Sequence, residues 1–274
     1  MYFKIVSDSS SNIYSINDER YTTVPMTIRS SQKEYVDNPS LDIRGMIDDL
    51  KALNEKTSTS CPNVNDYEEA LADADHAIVV TISRNLSGSY NAARIAIDDL
   101  PDKKITLIDT LSAGPQYGLI IMKIKEYLDN EPDMKYEELA EKIIDYNQHC
   151  SLIFALESLN NLANNGRVSH LVAKACGVLG IRIVGRADSE GKFDTIAKVR
   201  GKIKTTKKIL EEMLAKGYKG GKVRIDHCYN DEAANDLKEA ILKVYPEADI
   251  AVNLTTGLCS YYAEEGGLMI GFEF

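Results

Sequence analysis

Two short stretches of the sequence place hydroxyl-bearing side chains immediately before predicted helices. Around the first stretch, residues 83–89, the apolar run 77–82 predicts a buried strand, and apolar spacing over 90–100 predicts a helix. Ser87, Gly88 and Ser89 lie in the turn between them. A helix amino terminus carries unpaired N–H groups and partial positive charge, a serine can cap it, and a glycine lets an anion approach the backbone. The turn favours an anion site, but an ordinary serine cap explains it equally well when the stretch is taken alone.

The second stretch, residues 56–63, contains Thr59 and Ser60. Pro62 disfavours a helical conformation at Cys61, so the pattern predicts a hydroxyl-rich loop that ends where the next helix begins. Neither stretch has a strong acid or base beside it in the sequence. Such a constellation suits holding a carboxylate or a phosphate better than transforming one.

The standard catalytic signatures are absent from the sequence. There is no G-x-x-x-x-G-K-[ST] loop, no G-x-G-x-x-G after a strand, no G-x-S-x-G elbow, no C-x-x-C pair and no H-E-x-x-H helix. His227 and Cys228 are neighbours on a predicted strand, and their side chains therefore point to opposite faces. We expect no cofactor and no metal.

Composition narrows the function classes further. The chain has 274 residues, a net charge of −10 and 44% hydrophobic residues, with a pI near 5.0. This charge argues against a general binder of nucleic acid or of anionic membranes. The amino terminus reads as a first strand rather than a signal peptide, and no run could span a bilayer. The five scattered cysteines fit reduced thiols, so a cytoplasmic protein without integral membrane association is expected.

Predicted strands and helices alternate through the first half of the chain. This order is typical of βαβ units, and it predicts an α/β/α sandwich with a mainly parallel sheet over residues 1–157. The second half has a different rhythm, with a predicted hairpin around 188–191 followed by crossover elements. Residues 158–274 are therefore predicted to form an α+β domain with a mixed sheet, and a ligand would lie between the two domains.

Several motifs together resemble the DegV family of bacterial fatty-acid-binding proteins, over essentially the whole chain. The resemblance rests on the following segments: 6–9 (V-S-D-S), 59–62 (T-S-C-P), 86–91 (L-S-G-S-Y-N), 109–110 (D-T) with Gly114 and Gly118, 165–169 (N-G-R-V-S) and 198–201 (K-V-R-G). It implies two α/β domains clasping one long-chain fatty acid. It also implies service as the acyl-carrying partner of a separate fatty-acid kinase, rather than an enzyme.

The same resemblance implies a set of site residues. The carboxylate would be held by the hydroxyls of Thr59 and Ser87, within a site that comprises Thr59, Ser60, Ser87, Gly88 and Thr255. Thr255 stands where family members commonly carry a histidine, so the chain is identified as a divergent subgroup. This departure, and Arg182-Ile183 in place of the usual lysine-proline, bear on hand-over to a kinase rather than on binding.

The same resemblance assigns roles to two arginines, whereas the acyl tunnel wall and two other functions are left open. Arg167 and Arg200 are expected to face the kinase or the phosphate. The small-residue segment 168–180 is a candidate wall of the acyl tunnel, although core packing would explain it as well. Two other functions remain open: an enzyme of a small anionic substrate that uses Asp8 or Asp109, and a regulatory protein-binding module with a vestigial lipid pocket.

Overall fold

The computed structural model describes residues 3–53, 55–174 and 180–274. The strands, in chain order, are β1 (Phe3–Asp8), β2 (Tyr21–Val24), β3 (Thr27–Arg29), β4 (Glu34–Val36), β5 (Ser58–Ser60), β6 (His76–Thr81), β7 (Lys104–Asp109), β8 (Cys150–Leu156), β9 (Ile181–Ala187), β10 (Phe193–Arg200), β11 (Val223–His227), β12 (Ile250–Leu254) and β13 (Leu268–Glu273). The helices are α1 (Ile43–Leu53), α2 (Val64–Leu71), α3 (Ser89–Asp98), α4 (Pro115–Asn130), α5 (Tyr136–Gln148), α6 (Asn160–Asn164), α7 (His170–Lys174), α8 (Lys202–Lys216), α9 (Asp231–Val244) and α10 (Gly257–Ala263).

The first half builds a parallel sheet with helices on both faces. Its strand order is β2-β1-β6-β7, and all of its pairings are parallel. Because parallel strands are buried on both faces, they are continuous apolar runs such as Ala77–Val80 rather than alternating ones. Helices α2 and α3 cover one face, and α4 and α5 cover the other. The predicted α/β/α sandwich is confirmed.

The second half builds a mixed sheet in the order β10-β9-β8-β13-β11-β12. Only the β11–β12 pair is parallel among the pairings described. Helices α8 and α9 pack on one face. The other face, which includes Leu152, Phe154 and Leu156, packs toward α10 and the first half of the chain. The predicted hairpin around residues 188–191 is confirmed as β9 and β10.

A three-stranded antiparallel sheet, β4-β3-β5, was not predicted. The apolar pattern over 22–28 predicts a single strand, but the structure has two strands in different sheets, since β2 ends at Val24 and β3 begins at Thr27. Pro25 has no N–H to donate to a ladder, which accounts for the break. The loop expected at Thr59 and Ser60 is the edge strand β5, paired with β3, because threonine fits a half-buried extended strand well.

The change from one main sheet to the other comes earlier than the predicted 157/158 division. Strand β8 lies within the predicted first domain, yet it pairs with β13 and β9 of the mixed sheet. The parallel sheet and its helices therefore end with α5 at Gln148. The division into folding units 1–157 and 158–274 itself stays a prediction. Within the candidate wall 168–180, the structure describes α7, while residues 175–179, with Val178 and Leu179, lie outside the described residues.

Candidate functional site

A groove runs between the carboxyl ends of the parallel strands and the apolar face of the mixed sheet. Its volume is about 750 Å³ with the open mouth included. Each flanking element contributes apolar side chains, among them Ile82, Leu152, Phe154, Leu156, Leu258 and Met269. The groove therefore offers a mainly hydrocarbon surface.

Two phenyl rings fix part of this wall. The ring of Phe154 on β8 lies 4.5 Å from that of Phe193 on β10, measured between centroids, at an interplanar angle of 30°. Both rings line the groove. Contacts between aromatic rings at such distances stabilise packing beyond the area that they bury.

The β9–β10 hairpin reaches across to the parallel sheet and closes one side of the groove. Asn85 Nδ2 donates to the Glu190 carbonyl at 2.7 Å. At the hairpin tip, Gly191 has φ +74°, and a Cβ there would lie 2.7 Å from the Leu111 Cα. Only glycine fits both the left-handed backbone and this close approach.

Arg167 supplies a positive charge to the groove. Its side chain lines the groove, and Nε donates to the Leu86 carbonyl at 3.0 Å, while Nη1 donates to the Asn165 carbonyl. These hydrogen bonds hold the guanidinium against the loop that carries Ser87. Within the described ranges, Arg167 forms no ion pair with a carboxylate, although it is half-buried.

Among the residues that the structure describes, two further basic side chains line the groove, and they differ from Arg167 because each pairs with a carboxylate. Arg186 pairs with Asp194 at 3.0 Å, and Lys192 pairs with Glu190. Both are exposed. Their charges are therefore already matched by carboxylates on the hairpin itself.

The two hydroxyl-bearing stretches predicted from the sequence meet next to Arg167. Thr59 Oγ1 lies 2.7 Å from the hydroxyl of Tyr262, which lines the groove. A Cβ on Gly88 would lie 3.1 Å from the Cys61 Sγ, so the 59–62 segment and the 86–89 turn are in contact. Ser87 Oγ accepts from the Ser89 N–H at 3.2 Å and thus supports the start of α3. Ser60, half-buried, follows Thr59 on the edge strand.

Two of the predicted residues are not brought into this cluster. Thr255 is buried, and its hydroxyl lies 2.7 Å from the Ser260 hydroxyl, while its N–H donates to the His227 carbonyl at 3.0 Å. Arg200 ends β10, where it is exposed. Neither lines the groove. The roles of both residues remain predictions.

The candidate acid or base Asp8 belongs to a buried network behind the groove. It accepts from the Ile82 N–H at 3.0 Å, from the Ser89 hydroxyl at 2.7 Å, and from the N–H and hydroxyl of Ser10. Burial raises the pKa of Asp8 against the opposing effect of these hydrogen bonds. The other candidate, Asp109, pairs with Arg84. Neither carboxylate lines the groove.

Tyr262 and the groove-facing orientation of Arg167 were missed by sequence reasoning. The motif identified Arg167, but as a residue facing a kinase or a phosphate. Tyr262 is the sixth residue of the seven-residue helix α10 (Gly257–Ala263), and so short a helix gives no periodic signal in the sequence.

No group of three or more His, Cys, Asp or Glu side chains in the described ranges is placed to hold a metal ion. In the same ranges, no helix has the length and apolar character needed to cross a membrane.

Comparison with known proteins gives full-length matches. The model of the DegV family, described as an uncharacterised protein, matches residues 2–274. A DegV domain-containing protein of Streptococcus pyogenes serotype M3 is 38% identical, and the match covers 100% of both chains. A DegV family protein from Eubacterium eligens, loaded with heptadecanoic acid, is 37% identical with a TM-score of 0.95 and 99% of each chain covered. The Streptococcus pneumoniae fatty acid kinase (Fak) B3 protein, loaded with linoleic acid, is 36% identical with a TM-score of 0.96, over 100% of this chain and 99% of that one. The chain therefore belongs to the DegV family.

Proposed function

We propose that this protein binds one long-chain fatty acid, with the acyl chain in the groove and the carboxylate beside Arg167. The observation that carries the proposal is a half-buried guanidinium without a carboxylate partner in the described chain, at a groove whose other walls are mainly apolar. An apolar chain with one anionic end is complementary to this surface. The relatives loaded with heptadecanoic and linoleic acid support the same ligand class.

The energetics favour the hydrocarbon as the source of affinity. Burial contributes about 0.8 kcal/mol per methylene, so a chain of about sixteen carbons supplies on the order of 10 kcal/mol before the costs of association. The polar groups then decide which end of the ligand lies where. Arg167 offers a planar fork of donors that suits a carboxylate, and hydrogen bonds to charged groups are the stronger ones.

The experiment is native mass spectrometry of the protein as purified from bacteria, followed by delipidation and titration with hexadecanoic acid. A co-purifying mass of a C14–C18 fatty acid, and rebinding after its removal, are the expected results. A bound phosphorylated metabolite would instead favour the enzyme of an anionic substrate. An empty protein that does not rebind the acid, and that co-purifies with another protein, would favour the regulatory module.

We also propose that the bound fatty acid is presented to a fatty-acid kinase in the cytoplasm. The likeness to the Fak B3 protein supports a kinase partner. The described cysteines Cys61, Cys150, Cys228 and Cys259 are free thiols, which supports a reducing compartment. Arg200→Ala is expected to leave fatty-acid affinity unchanged and to slow acyl-phosphate formation in an assay with radiolabelled ATP and a purified kinase. If the wild-type protein supports no phosphorylation, a gain of activity in Thr255→His would locate the cause in the missing histidine.

A further inference from the structure

Two consecutive tyrosines of α10, Tyr261 and Tyr262, each form a hydroxyl–hydroxyl hydrogen bond with a threonine. The first threonine immediately precedes β5 and the second lies within it. Thr57 Oγ1 lies 2.7 Å from the Tyr261 hydroxyl, and Thr59 Oγ1 lies 2.7 Å from the Tyr262 hydroxyl. The rings of the two tyrosines contact each other edge to face, with centroids 4.9 Å apart. The pairs are therefore chemically equivalent and differ only in their surroundings.

The Thr57–Tyr261 pair is buried within the protein. Tyr261 is 2% exposed and Thr57 is 7% exposed. The Tyr261 hydroxyl also accepts from Asn165 Nδ2 at 2.9 Å. This pair connects α10 to the segment before β5 and to the end of α6.

In the second pair, Tyr262 lines the groove and Thr59 lies beside it. A hydroxyl carries one proton and two lone pairs, so a pair of hydroxyls uses one proton between them and keeps the other. Either hydroxyl of the Thr59–Tyr262 pair can donate to the other, and in both cases one O–H remains for a third partner. Since Tyr262 lines the groove, a ligand in the groove can accept that hydrogen bond.

The charge at this position favours an anionic acceptor. Burial raises the pKa of Tyr262, with the Thr59 hydrogen bond and the nearby charge of Arg167 acting in the opposite direction. The phenol therefore stays protonated at neutral pH and is a donor. Arg167 adds a positive charge to the same end of the groove.

We propose that Tyr262 is a carboxylate-binding residue, which donates a hydrogen bond to the head group of the fatty acid either directly or through Thr59. This inference rests on the proposed function, because it names a further contact in the same site. Thr59 and Tyr262 then act as one donor unit, and Tyr261 with Thr57 acts as a structural counterpart.

The test compares Tyr262→Phe with the matched control Tyr261→Phe, using two ligands of equal chain length, hexadecanoic acid and hexadecanol. Tyr262→Phe should weaken binding of the acid about 10- to 100-fold, as expected for a hydrogen bond to a charged group, and should change binding of the alcohol less than about 3-fold. Tyr261→Phe should leave the affinity for both ligands unchanged and lower the melting temperature instead.

Thr59→Val provides a second test that does not depend on how well Tyr262→Phe folds. Thr59→Val should also weaken acid binding selectively, and the Thr59→Val/Tyr262→Phe double variant should lose less than the product of the two single losses, because both changes remove one donor unit. Wild-type affinity for the acid in Tyr262→Phe, or equal losses for acid and alcohol, would overturn the inference alone. Failure of the wild-type protein to bind the acid would overturn the proposed function and this inference with it.

Discussion

Two polar clusters lie at the carboxyl edge of the parallel sheet, and only one of them is arranged for a ligand. The network around Asp8 is the richer in hydroxyls, yet each of its carboxylate oxygens accepts hydrogen bonds from protein donors. The cluster of Thr59, Arg167 and Tyr262 has a cation whose hydrogen bonds go to carbonyls, and a hydroxyl pair of which one member, Tyr262, lines the groove. The number of polar groups therefore does not identify the site. The site is identified by the positive charge of Arg167, which has no carboxylate partner among the described residues, and by the hydroxyl pair beside it, which can donate to a carboxylate.

The largest effect is expected from breaking the closed network. Asp8→Ala would leave the Ile82 N–H and the Ser89 hydroxyl buried without their acceptor, in addition to the two donors of Ser10. We expect a loss of about 3–5 kcal/mol in the free energy of unfolding, measured by urea denaturation. A loss below about 1 kcal/mol would mean that this network is not a structural centre.

The next effect concerns the open cluster. Arg167→Ala should weaken fatty-acid binding by about 2–4 kcal/mol, because the acyl carboxylate would lose its charged partner, and should change the free energy of unfolding little. Arg186→Ala is the matched control, since that guanidinium lines the groove but is already paired with Asp194. Fatty-acid titration of both variants checks the prediction, and equal losses would remove the distinction between paired and unpaired cations.

A smaller effect is expected from the two hydroxyls predicted as a clamp. Thr59→Val and Ser87→Ala should each weaken fatty-acid binding by about 1.5–3 kcal/mol, the usual scale for hydrogen bonds to a charged group. The losses should not add in the double variant, because either change loosens the same head group. If both single variants bind hexadecanoic acid as the wild-type protein does, the assignment of the clamp is wrong.

The smallest effect is a pH dependence that arises from one buried carboxylate, Asp37. Burial raises the pKa of Asp37 in the folded protein above its ordinary value of 3.8. At a pH between 3.8 and the raised pKa of the folded protein, Asp37 is protonated in the native state and ionised in the unfolded state. The contribution of Asp37 to the free energy of unfolding is therefore fully present below pH 3.8 and is lost as the pH rises through the folded-state pKa.

Asp37→Asn isolates that contribution, because the amide oxygen can still accept from Tyr14 and from the Gly257 N–H. Relative to the variant, the wild-type protein should become less stable as the pH rises from about 4 to 7. Urea denaturation of both proteins at several pH values measures the difference. A difference that is constant across this range would show that the pKa of Asp37 is not raised.

Sequence patterns predicted the large elements because their signals are local. The continuous apolar strands, the helices between them and the β9–β10 hairpin follow from periodicity and turn residues. The placement of β8 could not be predicted in this way, because its apolar run fits a parallel sheet and a mixed sheet equally well, and long-range pairing with β13 decides between them.

The site was predicted in part for a similar reason. Thr59, Ser87 and Gly88 were identified because helix-leading hydroxyls have a local signature, and the structure brings their segments together. Tyr262 has no such signature, since its proximity to Thr59 depends on the packing of α10 against the three-stranded sheet. Thr255 was assigned by its position in a motif, while the structure engages its hydroxyl with Ser260.

The central claim is that a fatty-acid carboxylate completes the cluster of Thr59, Arg167 and Tyr262. The most direct measurement is a crystal structure of the complex with 16-bromohexadecanoic acid, in which the anomalous signal of bromine marks the end of the acyl chain. We predict the carboxylate within hydrogen-bond distance of Arg167 and of Tyr262 or Thr59, with the bromine in the apolar part of the groove near Leu152 and Met269. Bromine beside Arg167, or a carboxylate held by Arg186 and Lys192 instead, would contradict the account.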